Sequence, residues 1–295
     1  MAVDPMPEPP AAGASEPPDA ALGEIGRLLA GRDVLVLTGA GLSTESGIPD
    51  YRGPTGSLRR RTPMTYQEFV GSAQARRRYW ARSHAGWQSI ARARPNAGHR
   101  AVEELRRGGL VSAVITQNVD GLHRAAGTLD AVELHGGLDR VVCLGCGRAS
   151  TRADLDRRLH TLNGAFRDES SPRNADGDVE LPDALVAAFR VAACRACGGI
   201  LKPDVVFFGE NVPQPRVRHC FDLVDEARAL LVLGSSLAVM SGLRFVRHAA
   251  RAGKPVAIVN QGGTRGDAYA TVRVGLPLGR TLTALADRLA TAPPR

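Results

Sequence analysis

The sequence predicts an α/β fold, a doubly wound parallel sheet with helices on both faces and a smaller lobe inserted into it. Three observations carry this. Short β-branched-rich runs alternate with longer amphipathic ones, each short run stops at glycine or polar residues, and two segments break the alternation. A chain of 295 residues with 43% hydrophobic content is long enough to bury a core of ordinary size.

In chain order, the first twenty residues hold six prolines and no basic residue precedes Arg27. That pattern fits neither a secretory signal nor an Arg-rich transit peptide, so residues 1–20 read as a flexible leader and the expected location is cytoplasmic. Ile25–Leu29 reads as a helix, and Val34–Leu37 as a strand that stops at Thr38-Gly39-Ala40-Gly41. Ala97–Arg107 is helical, and Val111–Ile115 is a strand ending at Thr116-Gln117-Asn118. Val132–Leu134 ends at His135-Gly136, and Val205–Phe208 ends at Gly209-Glu210. A helix over Val217–Ala227 leads to the strand Leu230–Leu233, which ends at Gly234-Ser235-Ser236. A helix over Leu243–Arg251 leads to Val256–Val259, which ends at Asn260-Gln261-Gly262, and a last helix runs from about Thr281 to Ala290. In open α/β sheets ligands bind beyond the carboxyl ends of the strands, where each of these polar clusters falls.

The interruptions are Pro54–Arg94, Arg-rich with helical spacing, and Gly137–Leu201, loop-like with a polar stretch at Asp168–Asp178 that reads as a mobile loop. The expected division is a leader (1–20), a core (21–53, 95–136, 202–293), a helical insertion (54–94) and a metal-binding insertion (137–201).

Four of the five cysteines form two Cys-x-x-Cys pairs, Cys143/Cys146 and Cys194/Cys197, separated by 47 residues. Gly145, Gly147, Gly198 and Gly199 beside them permit the tight turns that aim two sulfurs at one point. Four thiolates fit one tetrahedral zinc with no open position, hence a structural ion. The alternative is two unrelated redox pairs or buried thiols. Cys220, on a helical stretch, reads as an ordinary, partly buried residue.

Composition narrows the function. The net charge of +8 comes almost wholly from arginine, since Lys202 and Lys254 are the only lysines, which points to a bias across the whole chain. Arg59–Arg61 and Arg76–Arg78 read as solvated surface. With 4% aromatics and no reader motif, no specific nucleic-acid partner is expected. No stretch approaches the roughly 18 apolar residues of a membrane span. With no apolar surface stretch evident, a monomer is the expectation.

Gly39-Ala40-Gly41 after a strand resembles the start of a dinucleotide fingerprint, although Thr44 stands where a third glycine belongs. Backbone amides of such a turn can cradle a pyrophosphate, with Ser43 and Thr44 adding hydroxyls. Ile48, Asp50, Tyr51 and Arg52 exceed what a phosphate turn needs and suggest a loop closing over the ligand. Gln117, Asn118, Val119 and Asp120 put an amide pair and a carboxylate at a strand end, suited to ribose hydroxyls and an ordered water. His135, between an apolar run and two glycines, is placed to act as a base near neutral pH.

Taken together, Gly39–Arg52, Thr116–His123, His135-Gly136, the four cysteines, Lys202–Glu210, Gly234–Ser236 and Asn260–Gly262 occur in the order seen in sirtuins, the NAD-dependent protein lysine deacylases. The resemblance spans roughly residues 20 to 293. The spacing of the cysteine pairs and Gly-Ile-Pro-Asp-Tyr-Arg52 look like class II, the branch of mammalian sirtuin four. The resemblance implies a Rossmann-like sheet and NAD as a consumed co-substrate. In the implied reaction an acyl oxygen displaces nicotinamide to form an alkylimidate. A histidine then deprotonates a ribose hydroxyl that attacks it, giving lysine, nicotinamide and O-acyl-ADP-ribose. His135 matches that base, with Asn118 and Asp120 ordering the ribose, a water and the carboxamide pocket, and Gln117 contacting the ribose. Gly39, Ala40, Gly41, Asp50, Tyr51 and Arg52 match the cofactor loop, and Gly234, Ser235, Ser236, Asn260, Gln261 and Gly262 the adenosine side.

The resemblance further implies that an acyl-lysine peptide adds as a strand between Val205–Glu210, with Val205, Val206, Phe207, Gly209 and Glu210 in contact, and Leu237–Gly242. The second segment departs from other classes in lacking a proline after the serine pair. Tyr79 and Arg82, three apart on a helix, resemble the pair with which some sirtuins read acidic acyl groups, so a carboxylate-bearing acyl chain is expected. The alternative is a surface arginine beside aromatic packing. Two other readings stay open: protein mono-ADP-ribosyl transfer at the same NAD site, and nucleotide sensing without turnover.

Overall fold

The protein's structure, a computed structural model, describes residues 18–30, 33–53, 63–164, 174 and 177–290. Nine strands and ten helices are found among them: α1 (Pro18–Ala30), β1 (Val34–Thr38), α2 (Tyr66–Gly71), α3 (Ala73–Arg92), α4 (Ala97–Arg107), β2 (Val111–Thr116), α5 (Leu122–Ala126), β3 (Val132–Glu133), β4 (Gly136–Cys143), β5 (Ala149–Thr151), α6 (Arg152–Asn163), α7 (Asp183–Ala188), β6 (Leu201–Val205), α8 (Gln214–Glu226), β7 (Ala229–Leu233), α9 (Met240–Arg251), β8 (Val256–Val259), β9 (Val272–Val274) and α10 (Leu278–Ala290).

Six strands form a parallel sheet in the order β3-β2-β1-β7-β8-β9. The strands are apolar along their whole length because both faces are covered. Val34 and Val36 of β1 pack with α1, α4 and α10, whereas Leu35 and Leu37 pack with α8 and α9. β7 and β8 alternate in the same way, Leu231 and Val259 on one side and Val232 and Ile258 on the other. From β1 the chain steps outward to β2 and β3, then returns to β7 on the opposite flank. The sheet's switch point therefore lies between β1 and β7, where open α/β sheets leave a crevice.

The sequence reading places Val205–Phe208 in this sheet, and the structure corrects that. The sixth strand is β9, a half-buried edge strand whose short Val-Arg-Val run carries little apolar signal. Residues 201–205 instead pair antiparallel with β4, in a second sheet ordered β5-β4-β6. Gly137–Leu201 is thus not loop-like but carries β4, β5, α6 and α7, and the expected start of the core at residue 202 falls inside the small sheet.

The small lobe has its own core of Phe69, Trp80, Val141, Leu155, Leu159, Phe189, Leu201 and Phe207. Trp80 Nε1 donates to the Leu201 carbonyl at 3.1 Å, tying α3 to β6. Arg152, buried at the start of α6, lies over the Trp80 and Trp87 rings at 5.5 and 4.8 Å and ion-pairs with Asp156 at 3.4 Å. Cys220 lies in α8, as expected, but is fully rather than partly buried. Arg76 caps α2 through the Phe69 and Val70 carbonyls rather than standing free as solvated surface. Arg59–Arg61, residues 1–17 of the leader and most of Asp168–Asp178 lie outside the described residues; the expected leader's last three residues, 18–20, instead open α1. Asn174 and Asp178 are buried and bonded to each other, so that end of the expected mobile loop is packed.

Candidate active site

A cavity of about 1860 Å³ opens at the carboxyl ends of β1, β2, β7 and β8 and runs under the small lobe. Its floor is made by glycines that let two loops touch. A Cβ on Gly39 would meet the Ser235 Cβ at 2.7 Å, and one on Gly41 would meet the Gly234 Cα at 2.9 Å. The Gly39 and Gly41 amides are engaged with the Leu233 and Gly234 carbonyls at 3.0 and 2.8 Å. These glycines serve close approach, so the amide cradle expected of them is corrected: the Ala40 amide, at the start of a one-turn helix, remains as that turn's donor. An open crevice at a switch point, floored by backbone, fits a dinucleotide.

Gln117 and Asn118 continue β2 into the cavity. Gln117 Nε2 donates to Ser235 Oγ at 2.8 Å, bridging the two flanks of the switch point. Asn118 Nδ2 donates to the Gly39 carbonyl and to Ser43 Oγ at 3.1 and 3.0 Å. Ser43 Oγ in turn donates to Asp120 Oδ2 at 2.7 Å, and the Leu122 amide to Asp120 Oδ1 at 2.9 Å. Burial raises the Asp120 carboxyl above the usual carboxylate range, opposed by those two bonds.

His135 lies between β3 and β4. Its Nδ1 is 2.9 Å from the Gln117 carbonyl, which only accepts, so Nδ1 carries the proton and Nε2 is the basic nitrogen. Nε2 is 2.8 Å from Ser241 Oγ. Burial lowers the imidazole's pKa; the Gln117 bond opposes this, and Arg216 and Arg244 reinforce it. The result is a neutral ring at neutral pH, the form a general base needs.

The small lobe supplies the remaining wall with Met64, Tyr79, Leu138, Phe207 and Phe208. Tyr79 packs edge-on against Phe69 and Phe207, at 5.3 and 5.2 Å between centroids. Opposite, Leu237 adopts φ +53° with its side chain buried, a left-handed conformation uncommon for a bulky residue. It is held by a bond from its amide to Ser235 Oγ at 3.2 Å, while Arg265 Nη1 donates to the neighbouring Ala238 carbonyl at 2.9 Å.

Away from the cavity, Cys143, Cys146, Cys194 and Cys197 bring their sulfurs within 4.8 Å of one another. Cys143 and Cys197 are 3.5 Å apart and Cys146 and Cys194 3.8 Å. Sulfurs about 2.3 Å from a central zinc form a tetrahedron with edges of about 3.8 Å, whereas a disulfide needs about 2.05 Å. The geometry fits a four-thiolate zinc. Each turn closes on a left-handed glycine, Gly147 and Gly198, both at φ +70°.

A model of the Sir2 family matches residues 39–241, which contain the glycine turn, Gln117–Asp120, His135 and the four cysteines. The chain belongs to the Sir2 family. It is 62% identical over 278 residues to "NAD-dependent protein deacetylase 1" of Streptomyces coelicolor, covering 94% of this chain and 93% of that protein. A protein of the same name from Mycobacterium avium is 50% identical over 273 residues, covering 92% and 96%. Among solved structures, one described as "Structural Basis for the Mechanism and Regulation of Sir2 Enzymes" superposes with a TM-score of 0.74 at 30% identity, covering 92% of this chain and 98% of that one. Another, "Sir2-p53 peptide-NAD+", gives 0.72 at 29%, covering 92% and 99%.

Within this Sir2 chain, the structure brings Gly39–Gly41, Asp50–Arg52, Gln117–Val119, His135, Tyr79, Val205–Phe207, Gly209, Glu210, Gly234–Leu237 and Asn260–Gly262 onto one cavity wall. Ser43, Thr44, Ile48 and Asp120 are not on it. Ser43 and Asp120 stand behind Asn118, Thr44 Oγ1 donates to the Gly41 carbonyl, and Ile48 packs with Ile90, Leu122 and Leu138. Val205–Glu210 follows the edge strand β6, and part of its backbone is engaged within the chain. The Val206 amide bonds the His135 carbonyl, and both backbone groups of Phe207 bond Glu210, whose carboxylate also pairs with Lys202 at 3.1 Å.

Arg82 is the clearest correction. Three residues along a helix leave side chains about 60° apart, and here that difference decides. Tyr79 faces the cavity, whereas Arg82 is buried against 178–180, with Nε 2.8 Å from the Val179 carbonyl and 3.4 Å from Asp178 Oδ2, and Nη2 paired with Glu180. The pair does not converge on one carboxylate. Sequence reasoning missed Met64, Leu138 and Arg244, and it included Phe208 and Ser241 only as members of the two peptide-flanking segments. Ser241 had a usable signal, since it opens the helix that follows the Gly234 loop at a strand's carboxyl end.

Proposed function

We propose that this Sir2 chain is an NAD-dependent protein lysine deacylase, moving an acyl group from lysine to ADP-ribose with release of nicotinamide. The observation that carries this reading is His135, a neutral imidazole with Nδ1 tied to the Gln117 carbonyl, on the wall of a switch-point crevice. The deacetylase names of relatives at 62% and 50% identity support it. NAD supplies an electrophilic ribose carbon when bound, and the chain's residues do the rest. Ala40 and the Gly234–Ser236 loop would hold the pyrophosphate, and Asn260–Gly262 the adenosine. Gln117 and Asn118 would hold the nicotinamide ribose, preorganised polar groups against developing positive charge. Asp120 acts through Ser43, which fixes the Asn118 amide. His135 Nε2 takes the proton of a ribose hydroxyl. The four-cysteine zinc is structural and ties β4 to the 194–197 turn.

The finer reading is a class II enzyme of the mammalian sirtuin-four branch, cytoplasmic and monomeric, that accepts acyl chains beyond acetyl. The cysteine spacing, Gly47–Arg52 and the aromatic wall of Tyr79 and Phe207 support it. Among the described residues no helix is long and apolar enough to cross a membrane. The test is nicotinamide release from NAD with one peptide bearing acetyl, lipoyl, long-chain, succinyl or methylglutaryl lysine. Release that needs both peptide and His135 is expected. ADP-ribose appearing on protein with no acyl peptide present would favour the transferase reading instead.

A further inference from the structure

The basic nitrogen of His135 is already engaged. Nδ1–H is fixed by the Gln117 carbonyl, so Nε2 has one lone pair, and Ser241 Oγ stands on it at 2.8 Å. An unprotonated ring nitrogen only accepts, so the serine hydroxyl is the donor. Ser241 lies in the first turn of α9, whose N-cap, Val239, provides no side-chain cap, and its hydroxyl makes no capping bond there. Next to it, Gly242 is where a Cβ would strike Gln117 Oε1 at 2.5 Å, so α9 packs closely on the residue that holds the other side of the ring.

We propose that Ser241 is a positioning residue for the deacylation step. Its hydroxyl holds the neutral Nδ1–H tautomer of His135 and aims Nε2 into the cavity until the substrate's ribose hydroxyl takes its place on the same lone pair. This rests on the deacylase reading. In the step it prepares, the ribose O–H bond breaks, its proton goes to Nε2 and its electron pair forms the new bond to the acyl carbon, while that carbon's π bond to the lysine nitrogen breaks and its pair goes to the nitrogen. Ser241 itself gains and loses no proton. The charged groups facing the ring are Arg216 of α8, whose Nη1 donates to the Leu134 carbonyl at 3.2 Å, and Arg244 of α9. Both oppose an imidazolium, whereas the Ser241 hydroxyl, which can turn to accept from a protonated Nε2, acts on where the ring points and not on its charge.

The test uses the full chain without ligand and with it. Nitrogen-15 NMR of the His135 ring, assigned by comparison with His135→Gln, should report an Nδ1–H tautomer in the ligand-free protein. In Ser241→Ala the Nε2 signal of the neutral ring should shift, because that nitrogen loses the donor standing on it at 2.8 Å. The plateau of kcat for deacylation should fall about threefold to tenfold, while KM for NAD and for peptide stays within about twofold. Ser241→Thr, which keeps the hydroxyl, should restore both the Nε2 signal and the plateau. An Nε2 signal unmoved in Ser241→Ala, or a threonine variant shifted as far as alanine, would overturn the proposal. If the deacylase reading itself fails, no variant turns over, yet the ligand-free NMR comparison still decides whether Ser241 holds the ring.

Discussion

Replacing Arg82 with alanine should unsettle the small lobe and leave acyl preference alone. The Arg82 side chain is 5% exposed and stands between Asp178 at 8% and Glu180 at 56%. Breaking a buried pair by removing one partner costs about 3 to 5 kcal/mol, because the remaining charge keeps its desolvation penalty. Glu180 is more than half in water, so its share is screened to about 1 kcal/mol or less. Asp178 keeps the compensating bond from Asn174 Nδ2 to its Oδ1 at 2.5 Å. The lower end of the range, about 3 kcal/mol, follows. At about 2 to 4 °C per kcal/mol for a domain of this size, Tm falls by about 6 to 12 °C. Thermal unfolding of wild type and Arg82→Ala checks the size, and the acyl-peptide panel at a temperature where both are folded checks the specificity. An unchanged Tm with selective loss on succinyl and methylglutaryl peptides would refute the reasoning and return Arg82 to the acyl pocket.

Other consequences follow from the site. The purified protein should carry one zinc per chain by elemental analysis, and Cys197→Ser or a strong chelator should release it and unfold the small lobe, seen as loss of near-ultraviolet signal from Trp80 and Trp87. Gly41→Ala should weaken NAD binding at least tenfold by calorimetry, because its Cβ cannot pass the Gly234 Cα at 2.9 Å without moving the loop, while zinc content stays at one. Acid should destabilise the fold above the carboxylate range. Burial holds His99 down to about 3 and His123 to about 4, so between pH 6.5 and those values the unfolded chain binds the extra protons and stability falls as pH falls. Urea unfolding should lose about 2 kcal/mol per histidine between pH 7 and 5.

What the sequence made legible follows a physical rule. β1, β7 and β8 are covered on both faces, so their apolar runs are unbroken and easily read, and the polar cluster after each falls at the switch point by topology alone. The four cysteines were readable because zinc geometry demands that spacing. β9 was not, because a three-residue edge strand needs only one buried face and tolerates Arg273. The 205–208 run looked like a core strand because Phe207 is buried, but it is buried in the other lobe, and apolarity does not say against what. Arg82 was misread for a related reason. Helical spacing tells which side chains lie near one another, whereas its partners, Asp178 and Glu180, lie almost a hundred residues away in sequence and only the fold brings them together. Asp120 adjoins the wall-lining Val119 yet stands behind the wall, bonded to Ser43.

The central claim is that His135 completes transfer of an acyl group to ADP-ribose. It is tested most directly by mass spectrometry of the products from NAD and one acyl-lysine peptide, with His135→Ala run beside the wild type. The account predicts deacylated peptide and O-acyl-ADP-ribose in equal amounts from the wild type, and neither in useful quantity from the variant. Deacylated peptide without O-acyl-ADP-ribose, or equal yields from the His135→Ala enzyme, would contradict it.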